Sequence, residues 1–269
     1  MNQATTLNPA RRRAGLPSDW EAAAAFAGMM LRATLRDWRT LGILLFTPAI
    51  MLVVFRVTGS DDGFDLLAFV FPAIVAMSVF FAGAPFAVRI VGWREQDVFR
   101  RLACTPAPLG WVVAAYGVTF VLIALLQSGV ILLAGRFLFG IAGSASGAAW
   151  AILPLLLGAV IFVAYGGLLA GWVRKAETLN LLYIFTLFPM MFGGEVFVPA
   201  GNAPGLWQTA ASWLPPALML RLLRPLLQEG QWPDDALLLL AALTAYALLL
   251  TLLAARRMAG LARHEPHAR

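Results

Sequence analysis

Six long, nearly uncharged runs, at about 41–58, 65–90, 109–135, 148–172, 179–198 and 235–255, constrain this chain more than any other feature. A bilayer's hydrocarbon core, about 30 Å thick, is crossed by roughly 20 apolar residues at about 1.5 Å of helical rise each. Every run is close to that length or beyond it. Only 13 % of the chain is charged, against about 25 % in a soluble domain. The deficit lies inside the runs. The sequence therefore predicts an all-α integral membrane protein with six transmembrane helices, the six-span part occupying 40–257.

The placement of charge orients the spans. With the N-terminus taken as cytosolic, sixteen of the twenty Lys and Arg residues fall on inside segments, and only Arg56, Arg136, Arg221 and Arg224 fall outside. The positive-inside rule then puts both termini in the cytosol. The net charge of +6 reflects this topology and attraction to anionic membrane lipid, not nucleic acid. The nine tryptophans agree with the span boundaries: all lie at span ends, in the outside segment or on the N-terminal helix. A single cysteine, Cys104, excludes an internal disulfide framework and a thiolate metal cluster.

Residues 1–17 read as a disordered basic N-terminus. Arg11-Arg12-Arg13 resembles the basic region of a signal peptide, but the alanine-rich 22–31 that follows is too short to complete one. Residues 18–39 are predicted as a cytosolic interfacial amphipathic helix. Ser18 and Glu21 form a capping box, and Trp20, Ala24, Ala27, Leu31, Leu35 and Trp38 recur at helical spacing beside Arg32, Arg36 and Arg39. Pro72 and Pro85 should kink or tilt the second span. Arg56 is expected to snorkel towards Asp61 and Asp62. Residues 200–234 are too broken by proline to span, and are expected as one or two short outer helices at or dipping into the surface. Residues 258–269 form a cytosolic tail.

Between spans two and three lies a charged island, 93–110. On a helical wheel Val98, Phe99, Leu102 and Ala103 fall on one side and Arg94, Asp97, Arg100 and Arg101 on the other. Glu95 lands among the apolar residues. Pro106 and Pro108 stop the helix. So short a helix is marginal in water alone, and its apolar side would be exposed without a partner. The stretch 93–103 therefore reads as a docking element.

The residues for in-chain chemistry are sparse. Both histidines, His264 and His267, lie in the tail, and no span pairs a nucleophile with a base, so neither a catalytic site nor a metal site is expected. A phosphate loop needs Gly-Lys, whereas the only lysine, Lys175, follows Arg174. Gln127 and Ser128, in the middle of span three, can face a substrate path or bond between helices. Tyr183, Phe185, Phe188 and Phe192 can line an apolar route or simply pack. Glu195, near the outer end of span five, can select a cation or anchor the outer helices. Gly167 and Gly171 make a small-xxx-small pair for close helix packing.

These features in this order resemble an ABC-2 type permease, the membrane subunit of bacterial ATP-binding-cassette exporters. The resemblance covers about 20–257. It is carried by Glu95, then Phe99-Arg100-Arg101-Leu102, then Thr105-Pro106, and by the Gly-rich end of span five running to Val198-Pro199 and Pro204-Gly205-Leu206. Glu195 departs from the small or apolar residue expected before that Phe-hydrophobic-Pro. The resemblance implies that 93–103 is a coupling helix seated in a cytosolic ATPase subunit. Val98, Phe99 and Leu102 would fill the cleft, Arg100 and Arg101 would pair acids on the ATPase, and Glu95 would hold the N-terminal half of the helix. ATP and Mg would be bound by that partner, leaving no cofactor in this chain. It further implies a homodimer or a heterodimer with a second permease, in the bacterial cytoplasmic (inner) membrane, exporting an amphiphile such as a drug, a lipid or a lipid-linked glycan. The competing readings are a stand-alone six-span carrier or channel, and a non-transporting membrane scaffold.

Overall fold

A computed structural model describes residues 19–36, 38–58, 66–98, 109–141, 143–194 and 205–264. Eleven helices fill these stretches: α1 (Asp19–Arg36), α2 (Trp38–Thr58), α3 (Leu66–Phe80), α4 (Gly83–Glu95), α5 (Leu109–Phe137), α6 (Ala145–Trp150), α7 (Ile152–Ala170), α8 (Ala176–Gly193), α9 (Gly205–Ser212), α10 (Pro215–Gln228) and α11 (Ala236–His264). No strand occurs among the described residues. Five segments are long and apolar enough to cross a membrane: Leu67–Glu95, Gly110–Phe137, Ala145–Ala170, Ala176–Gly193 and Ala236–Met258. They coincide with the second to sixth expected spans. The first falls on α2, whose 21 residues reach about 31 Å and whose described apolar stretch is Pro48–Val57. The protein is all-α and multi-pass.

The bundle is organised around α7, which packs on α3, α4, α5, α10 and α11. Thirteen of its nineteen residues are buried, as expected of a helix apolar on all sides. Small residues allow the close approaches. Where α7 crosses α4, a Cβ on Gly166 would stand 3.0 Å from the Gly83 carbonyl carbon, and one on Gly83 would stand 2.8 Å from that of Phe162. Gly167 faces Phe86 and Ala254, and Gly171 faces Arg257, so this expected pair lies chiefly against α11. The Gly83–Gly166 crossing is the tighter contact.

The second span is broken at Phe81–Ala82, between α3 and α4. The cause is Pro85, which has no N–H for the Phe81 carbonyl one turn back. Ala84 N donates to Phe81 O instead, at 3.3 Å, and this shortened turn leaves Phe80 O without its helical donor. Tyr183 Oη fills the gap, donating to Phe80 O at 2.7 Å from a fully buried ring. Tyr183→Phe should therefore leave a buried carbonyl unsatisfied and lower stability by about 1–3 kcal/mol. Thermal melting in detergent reads this as a drop in Tm with insertion unchanged. An unaltered Tm would mean that the carbonyl finds another donor.

At one end of the bundle α10 is driven in as a wedge. Ten of its fourteen residues are buried. Pro215 and Pro216 at its start carry no N–H, which removes two of the donors a sunken helix N-terminus would strand. Met219 lies against Gly158 of α7, and the carbonyls of Leu226 and Leu227 press on Gly147 and Gly143. Gln228 donates to Ala68 O at 3.1 Å, Arg221 pairs with Asp235, and Arg224 lies 4.5 Å over the Phe69 ring. The 200–234 stretch, where one or two short helices are expected, holds α9 and α10.

The candidate coupling and transport site

The opposite end is basic. The C-terminal ends of α4 and α7, the start of α8 and Arg257 of α11 converge there, with Arg257 lying 5.6 Å from the Trp172 ring centre. An aromatic cluster joins α4 to the first turns of α5. The ring centres of Trp93 and Tyr116 are 4.8 Å apart and those of Tyr116 and Phe120 are 5.1 Å apart. Alongside this cluster α1 packs on α5, and Thr119 Oγ1 donates to Ala27 O at 3.4 Å.

One continuous helix over 93–103 is not what forms. The helix of span two continues through Arg94 and Glu95, and a turn at Gln96–Asp97 separates it from Val98, where helix resumes. Asp97 adopts φ +53°, the left-handed conformation that commonly ends helices and that Asp tolerates better than most residues. Glu95 is therefore the last residue of α4. Its Oε1 accepts from Ala176 N at 3.2 Å, at the start of α8. Arg94 Nη1 donates to Ala170 O at 2.9 Å and to Val173 O at 3.3 Å. Val98 is half-buried. Phe99, Arg100, Arg101 and Leu102 lie outside the described residues, as does Glu195.

Between α2, the broken second span, α5 and α8 is a cavity of about 640 Å³, within the 300–1,000 Å³ usual for small-molecule sites. Pro48, Met77, Phe81, Val88, Phe120 and Ile123 supply apolar wall, and the polar groups are Ser78, Gln127, Glu177 and Asn180. Ala176, Glu177 and Asn180 stand on the first turns of α8, so the cavity extends from the basic end into the bundle. Half-buried Gln127 lines it. Ser128 is buried and turned to α3: its Oγ lies 2.6 Å from Ser78 Oγ and donates to Ala124 O at 2.9 Å. Tyr183 faces the bundle interior, whereas Phe188 is 44 % exposed. With Leu181, Phe185 and Phe192, Phe188 lines a separate open groove on the outer face of α8. The candidate path residues are thus not one surface. Sequence reasoning missed Val88, Asn180 and Glu177; Pro85, which breaks the span beside them, was the available signal.

A multi-span helical bundle of this hydropathy, with an apolar cavity reaching towards a basic end, defines a polytopic membrane protein. The sequence profile of the ABC-2 type transporter matches residues 24–227, and the chain belongs to that family. No match was found among curated proteins. Members of the family are membrane transport components that partner an ABC ATPase.

Proposed function

We propose that this chain is the permease subunit of an ABC exporter, carrying an amphiphile (a drug, a lipid or a lipid-linked glycan) through the cytoplasmic membrane. The observation that carries the reading is the cavity between α2, α4, α5 and α8, in a chain whose family membership covers most of its length. An apolar body would rest on Phe81, Val88, Phe120 and Ile123, with its polar head towards Gln127 or towards Asn180 and Glu177. α2 would complete six spans with both termini cytosolic, so the basic end would face the cytosol. There the segment from Val98 to Leu102 would dock on a separate ATPase, which binds ATP and Mg. Val98, Phe99 and Leu102 would be the apolar contacts and Arg100 and Arg101 the charged ones. The open apolar face of α8 suits lipid or a second permease, identical or not.

The test is co-purification in detergent with a co-expressed ABC ATPase from the same genome, wild type next to Phe99→Ala and Arg101→Glu. Wild type should bring the ATPase down. Both variants should lose most of it while remaining inserted, since truncating a buried aromatic anchor commonly costs about 2 kcal/mol or more, roughly thirtyfold in affinity. Equal recovery of the ATPase in all three would remove Val98–Leu102 as the docking element and return the carrier or scaffold readings to the front.

A further inference from the structure

The contacts of Arg94 and Glu95 sit at the two ends of one short turn. The 171–175 turn joins the C-terminus of α7 to the N-terminus of α8. A helix C-terminus presents unpaired carbonyls and partial negative charge, and a helix N-terminus presents unpaired N–H groups and partial positive charge. Arg94, a cation, donates to Ala170 O and Val173 O on the first side. Glu95, an anion, accepts from Ala176 N on the second. The turn provides no cap of its own there, since Lys175 at the N-cap makes no side-chain capping bond. Adjacent residues of opposite charge thus grip two helix ends of opposite polarity.

We propose that Arg94 and Glu95 are positioning residues that fasten the 171–175 turn to the end of α4, so that displacement of the segment starting at Val98 is delivered to α8. Two residues, Gln96 and Asp97, separate Glu95 from Val98, and the chain turns between them at Asp97. On the other side, Ala176 begins the stretch that carries Glu177 and Asn180 into the cavity wall. Deeper in the bundle Tyr183 ties α8 to the same span at Phe80. α8 is therefore held to span two at two depths, and a push at the basic end moves one wall of the cavity. This inference rests on the proposed docking of an ATPase at the basic end.

The test uses the full permease–ATPase complex in nanodiscs, with Cys104 replaced by serine and spin labels on Lys175→Cys and Ala255→Cys, α11 serving as reference. Distances are compared without nucleotide and with ATP trapped by vanadate. The expected result is a nucleotide-dependent shift in the otherwise unaltered complex that is lost in Arg94→Ala/Glu95→Ala, with the ATPase still bound and a Gln96→Cys/Ala255→Cys pair still shifting. Glu95→Gln, whose amide oxygen can still accept from Ala176 N, should recover part of the shift relative to Glu95→Ala. A merely structural role would lower Tm in every variant but leave the shift intact, which would overturn the proposal. A complex with intact Arg94 and Glu95 that holds the ATPase but shows no shift at Lys175 also overturns it. If that complex holds no ATPase at all, the docking reading falls first and this inference with it. Should the double variant be unstable, Glu95→Ala alone, which removes one exposed bond, supports the same comparison.

Discussion

Gly83→Val is expected to leave the chain inserted but unable to form a monodisperse bundle. A Cβ at Gly83 would overlap the Phe162 carbonyl oxygen and stand 2.6 Å from Tyr183 Oη. The obstacle on one side is backbone, which cannot swing away. Nor can α7 retreat as a body: Phe162 meets the Phe80 ring with centres 5.0 Å apart, Gly158 is against Met219, and Gly167 is against Phe86 and Ala254. Overpacking of this kind costs about 1–3 kcal/mol and sometimes more. Displacing Tyr183 from Phe80 O would add about 1–3 kcal/mol. Together these consume a large share of a typical stability of about 5–15 kcal/mol. Size-exclusion profiles and Tm in detergent are the measurements, with Gly166→Val expected to behave alike. Gly92→Ala and Gly129→Ala are the controls. Each lies in a helix with nothing within 4 Å of the added Cβ, so each should be neutral or gain up to about 1 kcal/mol. A well-behaved Gly83→Val protein would mean that α4 and α7 do not cross this closely.

Val88→Trp carries the largest expected functional effect. Val88 is half-buried on α4 and borders the cavity, so an indole there would occupy space that the export reading assigns to the substrate's apolar body. It lies nearly two turns from Arg94 and Glu95 and outside the Val98–Leu102 stretch, so docking of the ATPase should persist. The expected outcome is transport reduced at least about tenfold, equivalent to about 1.4 kcal/mol or more at the transport barrier. Basal ATP hydrolysis should remain, while its stimulation by amphiphiles should be lost. Vesicle transport and ATPase assays on the same preparation separate the two. Leu248→Trp on α11, where the side chain is 61 % exposed and borders neither the cavity nor the α8 groove, is the matched control and should leave transport unchanged. Full transport by Val88→Trp would show that the route lies elsewhere, with the α8 outer groove next to be tested.

Much of this architecture was legible because membrane helices are set by length and hydropathy, and both are local. The second to sixth runs appear as helices near their expected bounds, and the prolines of 200–234 do yield two short helices. What escaped depends on partners distant in sequence. The wheel set Glu95 among apolar residues, but could not indicate that its partner is the backbone N–H of Ala176, 81 positions away. Gly167 and Gly171 announced themselves by spacing, whereas Gly83 and Gly166 sit on different helices and have no spacing to read. Pro85 signalled a kink, yet the break falls one turn earlier, because the group it deprives is the carbonyl behind it. Ser128 illustrates the remaining limit: a polar residue in mid-span declares that it needs a partner without saying which, and here it is Ser78.

The wedge formed by α10 has a topological consequence. α8 leaves the basic end and α11 returns to it, while both ends of α10 lie at the far end, its start against Gly194 and its close against Gly143 and Gly147. It therefore adds volume without changing the parity of crossings. Reporter domains fused after Gly194 and after Gln231 should fall in the same compartment. Excising the intervening stretch should leave α11 pointing the same way while removing the filling between α3, α7 and α11. Orientation and cohesion, which a spanning helix supplies together, are separated in this segment of the chain.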